Sequence, residues 1–258
     1  MTLPLIFMAV SALVCLFAPT ALAIWMIRKR GAKLWAFLLG AIVFAVFQIL
    51  TRIPLLGLLQ NTAWFTLFTV TQPVLYILLL AFTAGLFEET GRFAGLQLLQ
   101  LVNKKLSLKL NIFTWENAFA FGLGHGGIEA FYLVGINYAV FFVQALGGQH
   151  AAELLGTPAS YFLLGGVERV LAVATHIGFT MLVFYAVKHR KPLYLLAAIG
   201  AHMLVDAVTP LLKMAGVSLG VWETEGVLAV LAALLVLITI RFKPLLKQEG
   251  FNNEGGTL

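Results

Sequence analysis

Glu88, Glu89 and Arg92 sit inside an otherwise apolar stretch, 85-GLFEETGRFAG-95, between 73-PVLYILLLAFTA-84 and 96-LQLLQLV-102. Later stretches repeat the anomaly: 122-GLGHGGIEA-130 carries His125 and Glu129, 166-GVERVLAVATHIG-178 carries Glu168, Arg169 and His176, and 201-AHMLVDA-207 carries His202 and Asp206. Each ionisable group held at bilayer depth costs about 2.5 to 3.5 kcal/mol on insertion scales. Such groups are tolerated where they face one another rather than lipid. Their spacing agrees, because residues four apart share a helix face, and Glu88 with Arg92, His125 with Glu129 and His202 with Asp206 are so spaced.

Imidazole nitrogens and carboxylate oxygens converging on one chamber can hold a metal or share protons. A catalytic zinc takes three protein ligands and leaves a position for water. His125, His202 and Asp206 supply such a set, and the water's pKa would then drop to about 7. Glu88 or Glu89 is positioned to take its proton, while Arg92 holds the other glutamate and balances oxyanion charge. Imidazole and carboxylate also suit iron, cobalt and nickel, so the expected cofactor is zinc or another divalent transition metal. The structural alternatives are a Glu89–Arg92 ion pair, an Arg169–Glu129 pair beside Glu168, and a hydrogen-bonded core His176.

The elements that position these groups follow from composition. Of 258 residues, 61% are hydrophobic and only 11% charged, with a mean hydropathy of +0.96. Average globular chains carry about 25% charged residues. Several segments exceed the roughly 20 apolar residues that cross a bilayer, beginning with 3–27, where RKR after the apolar run and an uncharged MTLPL before it argue for a retained helix over a cleaved signal. The fold class is therefore all-α, a polytopic membrane helix bundle forming one transmembrane domain over 1–247 in a bacterial plasma membrane. The net charge of +6 does not imply nucleic acid, since most of the 17 basic residues fall in short clusters near 28–33, 104–109, 188–191 and 241–247. The positive-inside rule places those clusters in the cytoplasm. Seven spans result, near 3–27, 34–58, 73–104, 112–146, 159–187, 193–212 and 223–242, with the N-terminus outside and the C-terminus cytoplasmic. The segment 51–73, bracketed by Pro54 and Pro73, would supply an eighth span or an interfacial helix. The tail 248–258 reads as disordered. His150 and His189 fall in expected loops and are solvated; Trp25, Trp35, Trp64 and Trp222 lie near span ends as interfacial anchors. Cys15, the single cysteine, excludes an intrachain disulfide and reads as a small core residue.

At about 1.5 Å per residue from the cytoplasmic end of each span, Glu88 lies about 24 Å along, His125 about 20 Å, His176 about 17 Å and His202 about 14 Å. These groups thus share one layer. The glycines four apart around His125 form a small-xxx-small pattern that lets helices approach closely.

EETGR, GLGHGGIE and HMLVD together resemble the motif series of the glutamate-type intramembrane metalloproteases, the superfamily of type II CAAX prenyl endopeptidases, bacteriocin-immunity proteases and PrsW-like proteases. GHGGIE with the later THIG resembles most the bacterial YhfC family of membrane peptidases. The likeness covers 85–210. It implies that Glu88 activates water, that Glu89 and Arg92 form the supporting pair, and that His125 and His202 bind metal. Asp206 stands where the CAAX enzymes carry asparagine, which also offers an oxygen. The CAAX pattern has three residues between the second glutamate and the arginine; only Thr90 and Gly91 intervene here. His176 and Glu129 have no counterpart in that pattern and are candidates for ligands or for groups that orient them.

The expected activity is a metal-dependent intramembrane endopeptidase in which a glutamate activates metal-held water against a membrane-associated peptide or protein, entering from the cytoplasmic side. Two other classes use the same polar groups. A proton or divalent-metal transporter would show inverted repeats and broken helices, and no symmetry between the halves is evident. A non-catalytic scaffold of the same fold would have lost the glutamate pair.

Overall fold

The computed structural model describes residues 2–149 and 151–246. The tail 248–258, Lys247 and His150 lie outside the described residues. Nine helices form the described chain: α1 Thr2–Arg30, α2 Leu34–Gln60, α3 Ala63–Thr71, α4 Pro73–Lys105, α5 Trp115–Leu146, α6 Ala151–Gly156, α7 Ala159–His189, α8 Leu193–Met214 and α9 Val221–Leu245. Seven of them, all but α3 and α6, are long and apolar enough to cross a membrane. No strand occurs among the described residues.

Local chemistry sets the boundaries. Gly31 at φ +80° and Arg190 at φ +55° stop α1 and α7 in the left-handed conformation that ends helices. Pro73 opens α4, where its missing N–H costs nothing. Thr114 caps α5, its Oγ1 accepting from Asn117 N at 3.1 Å. The segment 51–73, with an eighth span or an interfacial helix as its expected alternatives, finishes α2, makes a two-residue break and forms α3, whose 9 residues are too short to cross and rule out the eighth span.

Two helices change winding partway. Ala45–Arg52 in α2 and Phe131–Gly135 in α5 are π-helical. In α2 the cause is Pro54: it donates no hydrogen bond and its ring crowds the carbonyl four residues back, at Leu50, so wider winding just before it relieves the clash. The Thr51 hydroxyl donates to the Val46 carbonyl at 2.7 Å. In α5, Asn137 Nδ2 donates to the Tyr132 and Leu133 carbonyls at 3.0 Å each, serving acceptors loosened by the π turn.

Burial of apolar surface does not drive helices together in lipid, which is as apolar as leucine; close packing does. Glycine supplies it. A Cβ on Gly124 would lie 1.9 Å from the Phe37 carbonyl oxygen, and one on Gly40 would lie 2.1 Å from that of Phe121, so α2 and α5 touch backbone to backbone. Gly122 and Gly126 face the other way, onto Ile177 and Val173 of α7. The four-residue glycine spacing thus packs α5 on α7, and the glycine between packs it on α2. The half of the bundle nearest the basic connections is filled by a continuous apolar core that includes Met26, Ala36, Leu96, Phe121, Phe184 and Ala198.

Candidate metal centre

The acidic pair is presented by α4. Glu88, Glu89 and Arg92 are all buried, at 3%, 0% and 0% exposure, because α4 turns this face inward against α2, α7 and α8. Arg92 Nη1 donates to Glu89 Oε1, three residues back on the same helix. Its Nη2 donates to His176 Nδ1 at 2.8 Å and lies 3.9 Å from Glu88 Oε2. The Glu89–Arg92 pair expected from the sequence therefore forms, and Arg92 also spans to α7.

Each histidine reports its tautomer through its partners. His202 Nδ1–H donates to Glu89 Oε1 at 2.8 Å, which turns Nε2 to the other side, 4.0 Å from Glu88 Oε2 and 3.7 Å from Asp206 Oδ2. Its ring stacks on Phe179 at 4.9 Å with an 11° tilt, so two contacts fix its plane. His176 accepts from Arg92 at Nδ1 and donates from Nε2 to Glu129 Oε2. Glu129 takes a second bond from Arg169 Nη1 at 2.5 Å, and Arg169 Nη2 donates to Glu168. His125 Nε2–H donates to Glu88 Oε2 at 3.0 Å, and its ring centroid stands 5.1 Å from that of His176.

The sequence candidates thus come together, though not as one shell. Glu88, His176 and His202 offer ligand atoms within 4.8 Å of one another. Asp206 adjoins His202 on the open side, its carboxylate 40% exposed. His125 lies on the far side of Glu88, with no exposure and no place in the cavity wall. Glu89 and Arg92 are likewise enclosed behind the wall that Glu88 contributes to.

That wall bounds a cavity of about 420 Å³. Besides Glu88, His176, His202 and Asp206, it includes Gln48 and Arg52 of α2. Arg52 is buried, donating from Nε to Thr83 Oγ1 at 3.1 Å, from Nη1 to Gln48 Oε1 at 3.2 Å and from Nη2 to the Leu80 carbonyl at 2.7 Å. Neither Gln48 nor Arg52 figured among the sequence candidates. The available signal was an arginine deep within the span 34–58, with a glutamine four residues before it on the same face.

The donor set fits a divalent transition metal. Ligands about 2.0 to 2.2 Å from a tetrahedral ion stand about 3.3 to 3.6 Å apart, close to the separations between His202 Nε2 and its two carboxylates. The Glu89–His202 hydrogen bond is the arrangement that orients a metal-binding imidazole and raises its basicity. Three buried polar atoms around Glu88 have no partner among the described residues: Glu89 Oε2, Arg92 Nε and His125 Nδ1.

A family model described as YhfC intramembrane metalloprotease matches residues 10–230. The Bacillus subtilis (strain 168) protein called "Uncharacterized membrane protein YhfC" is 31% identical over 257 residues, an alignment covering 92% of this chain and 96% of that protein. No solved structure matches.

Proposed function

The chain belongs to the YhfC intramembrane metalloprotease family, and on that premise we propose that it is an integral membrane endopeptidase whose centre is built on Glu88, His202 and their neighbours. The observation that carries this reading is the Glu89–His202–Glu88/Asp206 arrangement: a buried imidazole, oriented by one carboxylate, turns its other nitrogen toward two more at the wall of a cavity.

A divalent cation bound there would supply a Lewis acid and make water nucleophilic near neutral pH. His202 Nε2 and Asp206 Oδ2 are the proposed ligands from α8, with His176 completing the set from α7 on release of its Glu129 bond. Glu88 stands at the wall between His202 and His125, where it accepts the proton of the attacking water and later returns it to the leaving amine. His125 holds Glu88 in that position through its 3.0 Å hydrogen bond. Glu89 and Arg92 hold His202 and His176 respectively, and Arg92 adds positive charge 3.9 Å from Glu88.

The test is metal content and peptide-bond cleavage measured on protein purified in detergent. Glu88→Gln abolishes turnover and retains metal, whereas His202→Ala loses both. His125→Ala and His176→Ala separate a ligand from a positioning residue, since only a ligand's loss empties the site. Full cleavage by Glu88→Gln, or metal retained undiminished by the His202→Ala/His176→Ala double variant, would refute this assignment.

A further inference from the structure

The cavity is placed asymmetrically along the bundle. The connections 31–33, 106–114 and 190–192 mark one end, rich in Lys and Arg, and 61–72, 147–158 and 215–220 mark the other. The α4 residues of the wall run from Ile77 to Glu88, in the half of α4 that begins at the second end. Those of α8 run from His202 to Pro210, toward that same end, and α9 contributes Leu228 from its corresponding half. In α2 the wall begins at Phe44 and continues to Ile53, again away from the basic connections.

The other direction is closed. Every residue of α7 from Ile177 to Phe184 is buried, as is nearly all of α5 from Asn117 to Gly127, and the glycine contacts between α2, α5 and α7 leave no room for a channel. Beyond these contacts α2 and α5 part: Leu34–Phe44 packs along Trp115–Ala130, but the later halves scarcely touch, and both become π-helical where they separate. The open half is also polar. Asp206 and Glu168 keep carboxylates 40% and 42% exposed there, a cost that lipid contact would impose and water would remove.

We propose that the centre is served only from the end of the bundle opposite the basic connections, so that its substrates are proteins presenting the scissile bond within, or just beyond, that half of the bilayer. By the positive-inside rule this is the extracytoplasmic half, contrary to the cytoplasmic entry expected from the sequence. What enters rests on the endopeptidase reading; the direction of entry does not.

Cysteine labelling tests the direction without any substrate. In a Cys15→Ala background, Thr209→Cys and Ala172→Cys place thiols in the cavity wall. Ser218→Cys and Lys105→Cys mark the two ends of the bundle. Intact cells and inverted vesicles are each treated with a charged, membrane-impermeant thiosulfonate. The expected result is that both wall cysteines react from the same face as Ser218→Cys and are protected from the face that exposes Lys105→Cys. Reaction of either wall cysteine from the Lys105 face, or protection of both from the Ser218 face, overturns the proposal. Because labelling requires no turnover, it can fail while the Glu88→Gln test succeeds, and the reverse.

Discussion

Glu89 illustrates how much one buried side chain can be asked to hold. Its Oε1 accepts from both Arg92 and His202, so neutralising it takes away the guanidinium's close counter-charge and weakens the acceptor that holds the imidazole. Glu89→Gln is expected to cost about 3 to 5 kcal/mol of stability, as removal of one member of a buried pair does. It should also weaken metal binding about 10- to 100-fold by loosening His202. Denaturant melts in detergent and metal titration check the two effects separately. At this scale the sequence marked the buried charges and imidazoles of α4, α5, α7 and α8, because a charge inside an apolar run has few explanations, and it passed over Arg52 of α2. It did not assign partners. His176 to Arg92 and Glu129, His202 to Glu89, and His125 to Glu88 depend on how each helix is rotated about its axis, and a periodicity does not contain the rotation of one helix relative to another.

Between elements, the glycines of α5 decide which helices surround the site. Gly124→Ala drives a methyl into the Phe37 carbonyl, and overpacking of that kind costs about 1 to 3 kcal/mol. The same substitution at Gly226 in α9 meets nothing within 4 Å and is expected to stabilise by about 0.5 to 1 kcal/mol, as alanine does over glycine inside a helix. Thermal melts of the two variants should therefore move in opposite directions. The pattern 122-GLGHGG-127 announced close approach in the sequence, yet not that alternate glycines serve α7 and α2. Pro54 was equally visible inside the span 34–58; the helix runs through it, as that span requires, by widening over Ala45–Arg52, the stretch that carries Gln48 and Arg52 of the cavity wall. A proline shows where winding must adjust, not whether the helix breaks, kinks or widens there, since that choice trades local hydrogen bonds against tertiary fit.

For the whole molecule, a bound metal would tie α8 to α7, so its removal should loosen the bundle as well as stop the chemistry. Ligand present at about a hundred times its Kd adds about 2.7 kcal/mol to the folded state. A chelator is accordingly expected to lower the melting temperature of the native protein and to leave that of the His202→Ala/His176→Ala double variant unchanged; equal shifts in both would show that no structural metal is held there. Length, apolar content and the placement of Lys and Arg were enough to determine seven crossings, since a bilayer's thickness and the cost of buried charge act on each segment separately. The same cost marked Glu88, His125, His176 and His202 as interior groups. Only the tertiary structure decided which of them meet, that His125 stands outside the cavity, and that the cavity occupies the half of the bundle away from the basic connections. Those features arise from contacts between segments far apart in the chain, where packing of backbone on glycine selects one arrangement among many that the apolar pattern alone would permit.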